Sequence, residues 1–186
     1  MISVQSGDFS LEMFDAPDYT FGSVDNARKY DHEHLFDDAG SAFSKHGLVC
    51  SKDAREIGSA ILGASGGPTS VTEHSLVALE GRCFAAVGMM VACLALPDLS
   101  LLWSERGDPA TCFGLHLTPD EDALVVHGEL EITKFSLSGE KLWSFMGQDI
   151  FTGKFSIEGN NIVAEDFESG WYHIRLDSGA GEQVSK

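Results

Sequence analysis

Two histidines one residue apart stand in the acidic stretch Tyr30-Asp31-His32-Glu33-His34-Leu35-Phe36-Asp37-Asp38, and no other part of the chain advertises chemistry as plainly. On a strand, residues two apart project from the same face, so His32 and His34 would sit side by side. Neutral imidazoles joined by a carboxylate such as Asp37 are a donor set for zinc or another divalent ion. The plain alternative is an exposed acidic loop that carries two histidines. A second set is scattered over the C-terminal two thirds: Glu73 and His74, then His116, His127 and Glu129, then Asp149, Asp166 and His173. These groups could share a ligand only if a fold gathered the ends of distant strands at one place. His127 has an alternative role, satisfying a hairpin backbone group.

Other chemistries lack their residues. There is no Gly-x-Ser-x-Gly elbow, no Walker loop and no Gly-x-Gly-x-x-Gly at a strand-helix junction. Gly63-Ala64-Ser65-Gly66-Gly67 is glycine-rich but is not followed by the lysine a phosphate cradle needs, and reads as a linker. The four cysteines, Cys50, Cys83, Cys93 and Cys112, form no Cys-x-x-Cys pair and read as buried free thiols.

Charge narrows the partners. Twelve Lys and Arg face 29 Asp and Glu, a formal net charge of -17. Phosphate backbones and anionic membranes attract positive fields, so nucleic acid and membrane are disfavoured and a basic protein is the complementary partner. The N-terminus shows no basic region followed by an apolar core of signal-peptide length, and the longest apolar run, Cys83 to Leu96, is broken by Gly88 and too short to span a bilayer. A cytoplasmic location is the expectation.

The elements that must position any site are strands. From Ser75 onward the chain repeats one unit about every forty residues. Ser100-Leu101-Leu102-Trp103 and Glu140-Lys141-Leu142-Trp143 close two units, and Gly139 and Gly179 mark equivalent turns. Each unit contains about four short apolar or alternating segments split by turn signals such as Glu80-Gly81, Thr118-Pro119-Asp120-Glu121-Asp122 and Glu158-Gly159-Asn160-Asn161. A period near forty with four strands per unit is the pattern of propeller blades. The expectation is an all-β fold of three consecutive four-stranded antiparallel meanders.

Phe135-Ser136-Leu137-Ser138-Gly139-Glu140-Lys141-Leu142-Trp143 resembles the strand-turn-strand repeat of pyrroloquinoline-quinone-like and WD-like propellers, in which a Trp after the turn docks between neighbouring blades. The first unit departs from it, with Leu99 in place of the turn glycine, and the third has Gln183 near the place of the Trp. The resemblance implies a packing role for Trp103 and Trp143 and nothing catalytic. His32 and His34 resemble the cupin His-x-His in spacing alone.

Propellers close with four to eight blades, so three units would leave exposed edges. Residues 1–70 could cover them with strands of their own, a homodimer could close the array, or the units could stack as an open sandwich. Within that segment, Ile2 to Val4 and Phe9 to Phe14 read as a hairpin, Ala27 to Phe36 as a short helix or a loop, Gly47 to Ser51 as a strand, Ser51 to Ile57 as one capped helical turn and Ile57 to Ala64 as a strand. Residues 71–186 hold the repeats, and one compact domain is expected. Two functions follow. One is a non-enzymatic acidic interaction module, for instance an immunity-type inhibitor of a basic partner, acting as monomer or homodimer without a cofactor. The alternative is a metal-dependent enzyme or small-ligand binder using His32 and His34 or the groups at the blade ends.

Overall fold

The computed structural model describes residues 1–36, 43–79 and 81–184, and every regular element in them is a β-strand. The first sheet contains β1 (Ile2–Ser6), β2 (Phe9–Asp15), β3 (His32–Leu35), β4 (Ser44–Lys52) and β5 (Arg55–Ala64), in the order β1-β2-β4-β5-β3. Among the described residues only β3 breaks the antiparallel pattern; it lies parallel to β5, with His32 opposite Ala60 and His34 opposite Leu62. The three repeat units form the meanders expected of them. The second sheet is β6 (Leu76–Leu79), β7 (Arg82–Val87), β8 (Met90–Ala95) and β9 (Leu101–Arg106); the third is β10 (Cys112–Leu117), β11 (Ala123–Gly128), β12 (Glu131–Ser136) and β13 (Lys141–Met146). The fourth is β14 (Phe155–Glu158), β15 (Asn161–Glu165), β16 (Trp171–Arg175) and β17 (Gly181–Val184).

Each sheet packs face to face on the next. One core joins Leu11, Met13, Leu48 and Leu62 of the first sheet to Cys83, Ala85 and Leu94 of the second. A second joins Phe84, Val91 and Cys93 to Leu115, Leu124 and Phe135, and a third joins Val125 and Ile132 to Ile162, Tyr172 and Ile174. The run Cys83–Val87 is therefore buried on both faces, which explains why it reads as continuous rather than alternating. Neighbouring sheets meet through their inner strands, β1 against β6 and β10 against both β7 and β6. Their fourth strands splay apart, so the array fans like propeller blades. Among the described residues no hydrophobic cluster joins the fourth sheet back to the first, and the fan stays open.

Two of the three seams carry a Trp lock. Trp103 Nε1 donates to the Leu137 carbonyl at 3.1 Å, and its ring lies where a Cβ on Gly139 would be, 2.8 Å away. Forty residues later Trp143 Nε1 donates to Leu176 O at 3.2 Å, and its ring fills the space beside Gly179. Both turn glycines have positive φ, +90° and +71°, a region that costs little only without a Cβ. Immediately before each Trp the strand carries a bulge, so Leu102 and Leu142 have no cross-strand partner and stand about half exposed.

The N-terminal segment supplies the first sheet. The short helix offered for residues 27–36 does not form, and His32–Leu35 is strand. The helical turn read at Ser51 to Ile57 is instead a tight β4–β5 hairpin, with Asp53 and Ala54 at φ 50° and 60°, the conformation in which a two-residue turn matches strand twist. Residues 16–31 fold over the outer face of the first sheet. Tyr19 packs edge-on to Tyr30 at 5.3 Å and donates from its hydroxyl to Glu33 Oε1 at 2.7 Å. Arg28 lies over the Phe14 and Tyr30 rings and pairs through Nη2 with both Glu56 oxygens.

Candidate functional site

Two of the scattered histidines meet, and a third is joined to them through Phe155. His74 lies in the turn that leads into β6, a turn closed by a Ser75 N–H bond to Thr72 O. His116 is on β10 and His127 on β11. The His74 and His116 rings are 4.7 Å apart, and Phe155 of β14 lies 4.6 Å from both His116 and His127. Phe113 closes on His127 edge-on at 5.7 Å. The result is an imidazole-aromatic column along the innermost strands of the second, third and fourth sheets. Gly114 makes room for it, because a Cβ there would stand 2.7 Å from His74 Cβ.

Burial sets the charge of the column. It pushes His116 down to about 4, with the neighbouring His74 and His127 adding to the effect. Burial also lowers His127, against the opposing hydrogen bond that Nε2 makes to the Phe151 carbonyl at 2.9 Å. Both rings are thus neutral near pH 7. His127 does satisfy a backbone carbonyl, but on the connection between β13 and β14 rather than in a hairpin. The nearest carboxylate to His74 Nε2 is Glu73, at 3.6 Å.

The other members of the set stay apart from the column or serve the fold. Asp166 is buried and accepts from Gly170 N at 2.6 Å and the Tyr172 hydroxyl at 2.9 Å, holding the β15–β16 turn. Asp149 accepts from the N–H of its neighbour Ile150. Glu129 is tied through its backbone, its N–H to Thr111 O and its carbonyl to Phe151 N. His173 is exposed on β16, paired across to Glu182 and far along the strand order from the inner edge. His32 and His34 share a face as expected, their rings parallel at 5.6 Å. Asp37 lies outside the described residues. Among the described residues no three His, Cys, Asp or Glu side chains gather to hold a metal ion. His34 has a structural partner: its Nε2 is 3.3 Å from Leu99 O.

Two polar centres escaped the sequence reading. Asp108 is buried and accepts four backbone N–H bonds, from Ala110 and Thr111 at Oδ1 and from Leu130 and Glu131 at Oδ2, between 2.6 and 2.8 Å. It sews the β9–β10 connection to the β11–β12 turn; the Asp108-Pro109 pair was a readable turn signal. His46 is 1% exposed, with Nε2 3.1 Å from Thr69 Oγ1 and Nδ1 3.2 Å from Asp15 Oδ1. Strand parity placed it with Leu48 and Cys50 on the core face, a polar residue at an apolar position.

The charge is distributed by the topology. In a meander the first-second and third-fourth turns fall at one end, and here they carry Asp8, Asp53, Asp98, Asp120, Glu121, Asp122, Glu140 and Asp177. Four cations at that end are engaged, Lys52 with Asp8, Arg175 with Asp177, Arg82 on Leu137 O and Lys134 on Leu176 O, and Arg55 and Lys141 stand exposed beside them. Asp120, Asp122, Asp177 and Lys134 line a groove of about 400 Å³ between the third and fourth sheets. A larger groove, about 640 Å³, lies between the β1–β2 turn and Leu79, Gly81 and Glu121.

No family model matches the chain, and no curated protein does. Among solved structures it is similar to the computationally designed Ika8 protein, with 11% identity and a TM-score of 0.55 over 76% of this chain. It also matches the N-terminal domain of Nup159, with 12% identity and a TM-score of 0.44 over 57% of this chain. The chain spans less than half the length of each, 45% and 31% respectively. The similarity to Ika8 is one of fold alone. No helix in the described residues is long and apolar enough to cross a membrane.

Proposed function

We propose that the chain is a non-catalytic interaction module whose acidic turn end docks a basic protein, an immunity-type inhibitor being one concrete form. The observation that supports this most is the state of the charges at that end. Asp120, Glu121 and Asp122 stand exposed on one turn, while Lys52, Arg82, Lys134 and Arg175 are each held by a carboxylate or a carbonyl of the protein itself. A field of one sign over a rigid set of turns raises association rates and excludes acidic competitors.

The test uses a basic protein isolated on the immobilised chain, identified, and re-bound as a purified pair. Affinity should fall steeply with salt, and Asp120→Asn with Glu121→Gln and Asp122→Asn should weaken it by about tenfold or more, as expected when close charge pairs are removed. A salt-independent affinity, or a triple variant that binds like the parent, would refute the reading. The alternative, a metal-dependent or small-ligand function, draws its support from His32 and His34, whose rings lie parallel on one face at 5.6 Å. Its check is direct: zinc added to the purified protein should shift those imidazole resonances at stoichiometric concentration.

A further inference from the structure

We propose that the imidazole-aromatic column is a proton-operated latch, and that acid loosens the inner seam between the second, third and fourth sheets. The geometry places one histidine in each link of that seam. His74 comes from the turn before β6 and its backbone carbonyl accepts the Leu115 N–H of β10 at 2.8 Å. His127 reaches from β11 to the Phe151 carbonyl on the connection into β14. His116 stands between them, in ring contact with His74 on one side and Phe155 on the other. Away from this column the seams are held by the apolar cores and the Trp locks, so it is the inner edge that a charge here would disturb.

The groups facing His116 cannot compensate a proton. From the β6 side it meets His74, itself a base, whose carboxylate neighbour Glu73 is beside the exposed His74 nitrogen. From β11 it meets His127, and from β14 a phenyl ring. Lys154, next to Phe155 in the chain, is a further cation. Asp108, the carboxylate whose charge acts on His127, has both oxygens occupied by four N–H groups. A proton on His116 therefore lands among bases and carbons, and opening the seam to water is what stabilises it.

The sign follows from the depressed value. The folded state holds His116 at about 4 against the ordinary 6.5, so the opened state binds the proton first as pH falls. The closed seam is fully stable above about 6.5 and loses stability down to about 4. With one such group, the population of the open seam rises by up to about tenfold per pH unit in that window.

Amide hydrogen exchange on the full chain reads this out. The Leu115 N–H ties β10 to the turn before β6, and the Phe151 N–H ties the connection into β14 to the β11–β12 turn; after correction for intrinsic exchange their protection should fall by up to about tenfold per unit from pH 6.5 downward. The Val125 amide, inside the third sheet, should change much less. His116→Phe keeps a ring in the stack and removes the titration, and should flatten the Leu115 profile. The latch is refuted if seam protection is independent of pH, or if His116→Phe leaves the profile unaltered. Should that variant not fold, imidazole nitrogen resonances of the parent decide: His116 neutral until the seam opens supports the latch, and His116 titrating near 6.5 with the seam still protected overturns it.

Discussion

The seam between the first and second sheets and the two seams that follow it solve one packing problem differently. Between the second and third sheets, and again between the third and fourth, a Trp from the outer strand lies against a positive-φ glycine and donates to a carbonyl of the same turn. At the first seam the turn residue is Leu99, which takes φ +61° despite its side chain and buries that side chain completely. No Trp can lie flat against a turn that carries a leucine. The approach is made instead by backbone, with Gly58 so close that a Cβ would collide with Pro97 O, and by His34, which reaches Leu99 O. The close approach is constant among the three seams. Which partner gives up its side chain is what changes: the turn in two cases, the strand in the third.

The largest effect should come from emptying a Trp lock. Trp143→Ala removes a half-buried ring and its bond to Leu176 O. A fully buried Trp→Ala costs about 3–5 kcal/mol, so the low end, about 3 kcal/mol, is expected here. In a protein of this size that lowers the melting temperature by about 6–12 °C. Trp103→Ala should match it to within about 1 kcal/mol if the two seams are equivalent, since truncation cost varies with how far each site can collapse. Calorimetry on both variants is the check, and a large inequality would break the equivalence.

Next come the glycines, which sharpen the contrast. Gly58→Ala forces backbone apart at the first seam, because the obstructing atom is a carbonyl oxygen rather than a flexible side chain. Gly179→Ala meets the Trp143 ring and also pays for its positive φ. Overpacking of this kind costs about 1–3 kcal/mol. The two should differ in rescue. Adding Trp143→Leu to Gly179→Ala should recover part of the loss, whereas no side-chain truncation relieves Gly58→Ala. Double-variant denaturation curves distinguish the cases.

What the sequence disclosed follows the same division. Trp103, Trp143, Gly139 and Gly179 recur at one period, so three sheets and two locks were legible from spacing. The first sheet was legible only in part: β1, β2, β4 and β5 were readable as strands, but their assembly into one sheet was not, because they carry none of those markers and β3 enters parallel to β5, out of chain order. A four-residue strand, His-Glu-His-Leu, pairs on one side only and shows no turn signal to announce it. The inner histidines illustrate the same limit. Their types were readable and their positions in the repeat were not equivalent, so nothing in the period predicted that His74, His116 and His127 would gather. Contact arises because the turn before β6 brings His74 against His116 of β10, and Phe155 joins His127 of β11 to them. Asp108 was hidden for another reason: an acidic residue before proline looks like an ordinary surface turn until four N–H groups converge on it.

The smallest effect belongs to His34, and it tests whether the first seam has a lock of its own. Its bond to Leu99 O is 3.3 Å long and the ring is half-buried, so His34→Ala should cost only about 1 kcal/mol. The pH dependence is more telling than the size. Burial lowers His34 from its ordinary 6.5, outweighing the raising effect of the carbonyl bond, and the neighbouring His32 adds to the lowering. The unfolded chain therefore takes up a proton before the folded one does. The stability His34 confers is complete above pH 6.5 and declines as pH falls through that value toward the lower folded one. A parent protein that loses stability over this range, with His34→Gln losing less, places the imidazole in the seam. Equal loss in both proteins assigns the acid sensitivity elsewhere and leaves Gly58 against Pro97 O as the whole of the first lock.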